Sequence, residues 1–193
     1  MQIMSTEPAT DATLMARVAD GDSVAFGVLV RRHLPRAYAI ARRVLPHDHE
    51  AEDAAQEAFT KVWVHARNYQ PDTAAFTTWL HRIVVNASLD MCRRKRPQAV
   101  EESVLHAVAD GGENAEQLAA RHEEANQLQA AIASLPPQQR AAITLCYTEE
   151  YTNAEAASLM GLHLKALEGL LVRARKSLRT QLKELYEGAR HAA

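Results

Sequence analysis

Apolar residues recur along the chain at helical spacing, in short stripes separated by Gly, Pro and acidic breaks. Leu14, Met15 and Val18 share one face of a first helix that Asp11 can cap and Gly21-Asp22 ends. Ser23 can cap a second helix carrying Phe26, Leu29 and Val30. Pro35 falls inside it and is expected to kink or interrupt it, because proline lacks an N–H and crowds the preceding turn. The pattern resumes through Tyr38, Ala41, Val44 and Leu45 and stops at Pro46. Asp48 or His49 is expected to start and cap a third helix with the stripe Ala51, Ala55, Ala58, Phe59, Val62 and Ala66. Asn68 to Asp72 reads as a loop. A fourth helix carries Phe76, Trp79, Leu80, Ile83, Val84 and Ala87, runs into Arg93-Arg94-Lys95-Arg96 and stops before Pro97.

The character changes from Gln98 to Glu124. Glu101, Glu102, Asp110, Glu113, Glu116, Glu123 and Glu124 oppose only Arg121, and Gly111-Gly112 sits among them. This reads as a flexible acidic linker that merges into a helix near Glu116. Beyond it, Leu118, Ala125, Leu128, Ile132 and Leu135 form another stripe, broken by Pro136-Pro137. Ala142, Ile143, Cys146 and Tyr147 follow, then Thr152 to Met160, a turn at Gly161, and a long helix from about Leu164 to Tyr186. No segment alternates with the period of a strand. The expected fold is all-α: one small helical domain at 11–97, a flexible linker at 98–115, and a second helical domain at 116–187 with a helix-turn-helix.

Thr152 with Glu155 three residues later has the form of a capping box. Small Ala157 suits a close helix crossing, and Gly161 suits a left-handed turn. Ala156, Met160, Leu162, Leu167 and Leu170 can fill the contact between the two helices, while Leu167, Leu171, Ala174, Leu178 and Leu182 make the buried stripe of the second. Lys165, Arg173, Arg175, Lys176, Arg179 and Lys183 oppose mainly Glu168 and Glu184, so the second helix is basic, as a helix in a DNA groove should be. An ordinary hairpin with a solvated basic face is the plainer alternative.

Composition changes this picture little. Charged residues make up 24% and aromatics 5%, with a formal net charge of -2 and a pI near 6.5. The near-neutral total conceals acidic and basic segments, and local patches decide phosphate contact. Cys92 and Cys146 lack CxxC partners, which fits a reducing cytoplasm. No leader or membrane insertion is expected. His47-Asp48-His49-Glu50 has ligand chemistry but no distant third ligand in pattern, so no metal or other cofactor is expected. Neither a Gly-rich phosphate loop nor a nucleophile elbow is present, and no enzyme activity is expected.

Several segments resemble extracytoplasmic-function (ECF) RNA polymerase sigma factors. Leu135-Pro136-Pro137-Gln138-Gln139-Arg140, Tyr151 to Ala157, Met160-Gly161-Leu162 and Arg173 to Leu178 are similar to the domain that reads the −35 element. Asp22 to Phe26, Glu52 to Phe59 with Val62-Trp63, and Phe76, Trp79-Leu80, Arg82-Ile83, Asn86, Asp90 and Arg93-Arg94 are similar to the domain that binds polymerase and opens the −10 element. The resemblance implies that Asp53, Gln56, Glu57 and Phe59 meet core RNA polymerase, through its β′ and β subunits. It implies −10 DNA contacts from Asn68, Tyr69, Arg82, Asn86, Arg93, Arg94 and Arg96. It implies −35 contacts from Thr152, His163, Lys165, Glu168, Arg173 and Lys176. Promoter DNA and an anti-sigma factor are the other implied partners. Trp63 and Trp79 are expected in the core, and Tyr69 is expected either to stack on a base or to pack against the Trp79 helix. His163 and Leu170 depart from the hydroxyl residue and the Arg that many members carry, and Leu170 thereby removes one phosphate contact. A stand-alone helix-turn-helix regulator is the main alternative; it has no need of the Asp53/Gln56/Glu57 face.

Overall fold

A computed structural model of the chain describes residues 9–94 and 125–192, with side chains as far as Lys183. The predicted linker at 98–115 and Arg96 lie outside the described residues.

The N-terminal domain is four helices: α1 (Asp11–Ala19), α2 (Ser23–Val44), α3 (Asp48–Val64) and α4 (Phe76–Arg94). A 3-10 turn, Ala66–Asn68, follows α3. The caps sit one residue earlier than the sequence pattern suggests. Thr10, not Asp11, caps α1 by accepting from the Thr13 N–H. That leaves the Asp11 carboxylate for Arg32 and for His33 at 2.8 Å, which ties α1 to α2. Asp22, not Ser23, caps α2, accepting from Val24 N–H at 2.9 Å and Ala25 N–H at 3.0 Å. These two bonds and the Arg17 guanidinium hold the Asp22 carboxyl below its usual range, the Ala25 bond first. His47 precedes α3 without a side-chain cap. Asp48 instead lies in the first turn, where its charge meets the helix dipole, and pairs with Arg42.

Pro35 does not interrupt α2, which runs unbroken from Ser23 to Val44. Proline deprives the Arg31 carbonyl of its helical donor, but Arg31 and Pro35 are both exposed, so that carbonyl can turn to water. One face of α2 (Leu29, Ala37, Ile40, Ala41, Val44) is buried against α3 and α4. The small residues Ala51, Ala54, Ala55 and Ala58 let α3 approach closely, and Leu80, Val84 and Val85 of α4 close the core.

The C-terminal domain begins, among the described residues, with a helix over 125–133, here α5. Pro136 ends the break, Pro137 opens α6 (Pro137–Ile143), and a π-turn spans Thr144–Thr148. Then come α7 (Asn153–Leu159) and α8 (Leu164–Ala192). Leu135, Leu145, Leu159, Leu167, Leu171 and Ala174 make the core. Three stripe positions are corrected. Ala125 is exposed. Leu128 is 41% and Tyr147 58% exposed. The π-turn changes the residue count per turn and carries Tyr147 off the α6 core face.

The two domains touch directly. Arg140 of α6 is buried and its Nε donates to the Val44 carbonyl at the end of α2, 3.0 Å away. Helices α2 and α4 pack against α6, and α4 against α7.

Candidate protein and nucleic-acid interfaces

Helix α2 carries a second apolar stripe at fourfold spacing: Phe26, Val30, Leu34 and Tyr38. It faces Ala55, Phe59 and Trp63 of α3 across an open groove of about 970 Å³, with Ser23, Glu52, Gln56 and Thr60 on its rim. Phe26 sets its ring edge-on to Trp63 at 5.1 Å and to Phe59 at 6.4 Å. Trp63 is 38% exposed, so the expectation of a core tryptophan is corrected: it walls an open surface groove. Phe59 is 5% exposed and forms the groove floor. Asp53 and Gln56 are exposed beside it. Glu57 is half-buried and engaged, 2.7 Å from Lys61 and 3.9 Å from Arg94. Sequence reasoning missed this groove because Phe26 and Val30 were counted with the core; the continuation of their spacing to Leu34 and Tyr38 was the available signal.

The second surface is the loop before α4 and that helix's outer face. Arg82, Asn86 and Arg93 fall within a narrow arc of α4. Arg82 and Arg93 are exposed; Asn86 is half-buried, with its Nδ2 3.5 Å from the Leu159 carbonyl of the other domain. Arg93 pairs with Asp90, and Arg94 is exposed. Asn68 ends the 3-10 turn, exposed. Of the two expectations for Tyr69, the packed one is seen. Its ring lies 5.3 Å from Trp79 and 6.1 Å from Phe76, and burial, with the Asp11 charge, pushes its hydroxyl pKa up.

The third surface is α7, its turn and α8. Thr152 caps α7: its Oγ1 accepts from Glu155 N–H at 3.3 Å while Glu155 Oε2 accepts from Thr152 N–H at 2.8 Å. The Thr152 hydroxyl and then its N–H hold the Glu155 carboxyl below its usual range. Gly161 has φ +64°, and the Leu162 N–H returns to the Ala157 carbonyl at 2.8 Å, which turns the chain into α8. Thr152, His163, Lys165, Glu168, Arg173 and Lys176 are all exposed. Lys165, Glu168, Val172 and Lys176 share one face, and Val172, missed earlier, is 58% exposed there. Leu170 is 7% exposed: it belongs to the core rather than to a DNA-facing position.

The remaining expectations concern metals and membranes. The His47 and His49 rings stack at 5.5 Å. Among the described residues no three ligand side chains gather, and no helix is long and apolar enough to cross a membrane.

Residues 29–98 match the family model described as Sigma-70 region 2, and residues 125–178 that of Sigma-70, region 4. The chain is 37% identical over 181 residues to the ECF RNA polymerase sigma factor SigE of Mycolicibacterium smegmatis, covering 92% of this chain and 69% of that one. It is 31% identical to the ECF RNA polymerase sigma factor SigW of Bacillus subtilis, covering 88% and 95%. Among solved structures, CnrH in complex with the cytosolic domain of CnrY has 30% identity and a TM-score of 0.62 over 90% of this chain and 97% of that one. The sigma factor RpoE of Bartonella quintana, solved with the anti-sigma factor NepR, shares the fold at 22% identity and a TM-score of 0.63, over 82% and 96%.

Proposed function

The chain belongs to the ECF family of RNA polymerase sigma factors, and from that premise we propose which of its surfaces does each part of the work. Asp53 and Gln56, exposed on α3 beside the apolar groove, meet basic and apolar side chains of core polymerase. Trp63 and Phe26 supply the rigid aromatic anchors that concentrate binding energy at interfaces. Glu57 orders Lys61 and Arg94 and contributes to that contact only after exchanging those partners.

The −10 element is engaged by α4. Arg82, Arg93, Arg94 and Arg96 hold phosphates, which position the strand without reading it. Asn86, with Asn68 across the loop, reads an extruded base, whose unstacking costs a few kcal/mol that polymerase binding offsets. Tyr69 acts through Trp79 and Phe76 by stiffening the loop. The −35 element is engaged by α8: Lys165, Arg173 and Lys176 on phosphates, Glu168 on a cytosine amino group, with Thr152 and His163 at the helix starts near the backbone. The protein works by binding, in the cytoplasm where polymerase and promoter meet, and makes or breaks no covalent bond.

The observation that carries this reading is the open, aromatic-walled groove next to Asp53 and Gln56 on the same domain as the Arg82–Asn86–Arg93 arc. The same groove suits an anti-sigma factor, which would compete with polymerase for it; the complex of the sigma factor RpoE with the anti-sigma factor NepR, which shares this fold, supports a regulator of that kind. The test is a pull-down of core polymerase with wild type and Trp63→Ala. Loss of binding by a variant that stays folded supports the assignment. Undiminished binding removes the groove from it.

A further inference from the structure

The two domains meet through a polar cluster that no proposed polymerase or DNA contact uses. Glu149, in the loop after α6, accepts from Arg36 of α2 at 2.9 Å, and its carboxylate is 4.0 Å from the Nδ1 of His81 on α4. That imidazole nitrogen also lies 2.9 Å from the Tyr151 hydroxyl. The backbone between Glu149 and Tyr151 is turned by Glu150 at φ +57°, a conformation uncommon for a residue with a side chain. It aims both neighbours into the other domain. Strain of this kind persists where surrounding structure over-determines it.

We propose that this cluster is a latch that holds the protein in a closed, autoinhibited conformation which must open before a promoter is used. Two observations make the closed form incompatible with initiation. First, α4, which carries the −10 contacts, packs against α7 of the other domain. Asn86 lies against the Leu159 carbonyl of α7, the helix that crosses the DNA backbone in a helix-turn-helix. A base cannot reach Asn86 past α7. Second, elements centred near −10 and −35 are about 25 base pairs apart, roughly 85 Å of duplex at 3.4 Å per pair. A compact body of this size has a radius of gyration of about 16 Å. The span requires separated domains, and the 95–124 segment, at up to about 3.5 Å per residue, is long enough at about 100 Å to permit it.

The latch is also built to release. Arg36 is half exposed, and an ion pair with one solvated partner is weak. The second Glu149 oxygen, Oε1, is buried with no hydrogen-bonding protein group, so opening returns it to water. Asp53, Gln56, the outer arginines of α4 and the α8 face stay exposed in the closed form, so the latch covers Asn86 and limits the span rather than masking the polymerase face. Any partner that binds the separated domains better than the closed pair shifts the equilibrium.

This inference rests on the reading that both domains touch one promoter, and its test separates the two. The radius of gyration of the full chain is measured by small-angle scattering, without polymerase or DNA, for wild type, Tyr151→Phe, and Arg36→Gln with Tyr151→Phe. Circular dichroism checks that each is folded. Transcript is then measured at limiting protein from a promoter selected with wild type from a random library. The expected result is a compact wild type, a double variant at least about a third larger, and severalfold more transcript from it, in proportion to the open fraction. The single variant, which loses only a hydroxyl, falls between. An extended wild type, a double variant as compact as wild type, or an opened variant that yields no more transcript would overturn the latch. If wild type starts no transcript from any promoter, the promoter reading fails, and the scattering data still decide whether the latch exists.

Discussion

The His81 Nδ1 of α4 and the Tyr151 hydroxyl before α7 lie 2.9 Å apart, joining residues 70 positions apart in the chain and on different domains. Burial, then the charges of Arg36 and His33, pull the His81 pKa down from 6.5 to about 4. Glu149 faces it with the opposite sign but is already paired with Arg36. In the closed form the imidazole is therefore neutral; once the domains part it is expected to return toward its ordinary value. The closed state binds fewer protons, so its advantage is complete above about pH 6.5 and declines as pH falls toward 4, by up to about tenfold per unit. Scattering measured from pH 7.5 to 5 should show progressive opening in wild type and a flatter curve in His81→Gln. Equal pH dependence in both would assign the effect elsewhere.

The turn of the helix-turn-helix should be intolerant of a side chain at Gly161. Its φ of +64° is strained for alanine although the space is open. Gly161→Ala should cost about 1 kcal/mol of stability. Glu150→Gly, at φ +57°, should change stability by less than about 1 kcal/mol, because relief of strain is offset by a looser unfolded chain. Thermal unfolding of the two variants measures both.

On α8, exposed Lys176 and Glu168 should behave differently although they share a face. Lys176→Ala should weaken DNA binding evenly across sequences and reduce the salt slope by about one. Glu168→Ala should relax preference at a single base position, by about 1–3 kcal/mol of discrimination. Binding of promoter variants at several salt concentrations distinguishes them.

Caps aside, the helices themselves were legible because each buries a stripe, as Leu14/Met15/Val18 and Leu167/Leu171/Ala174 show. What failed was local chemistry that depends on three dimensions. Pro35 was expected to kink or interrupt α2, but the helix is not interrupted there, at a position where Arg31 and Pro35 are exposed and the freed carbonyl can turn to water. Leu170 looked like a lost phosphate contact, but it is buried in the core. Trp63 looked like core because hydrophobicity alone cannot tell a filled interior from the wall of an open groove. The candidate residues on α4 and α8 were found from a family pattern; Arg82, Arg93 and the α8 residues are exposed, whereas Asn86 is half-buried against the other domain. The contact between domains was not legible: Arg36 and Glu149 are 113 positions apart, and with His81 and Tyr151 they follow no periodicity.

The central claim is that α3 carries the polymerase contact and that the two domains then select a promoter. Promoter-dependent initiation with purified core polymerase, comparing wild type with Asp53→Ala/Gln56→Ala, tests it most directly. Both residues are exposed and make no cap or core contact, so the variant should fold normally. The account predicts that wild type directs transcripts from selected promoters and that the variant loses core binding and transcript together. A wild type that binds DNA alone, never binds core and starts no transcript would contradict it.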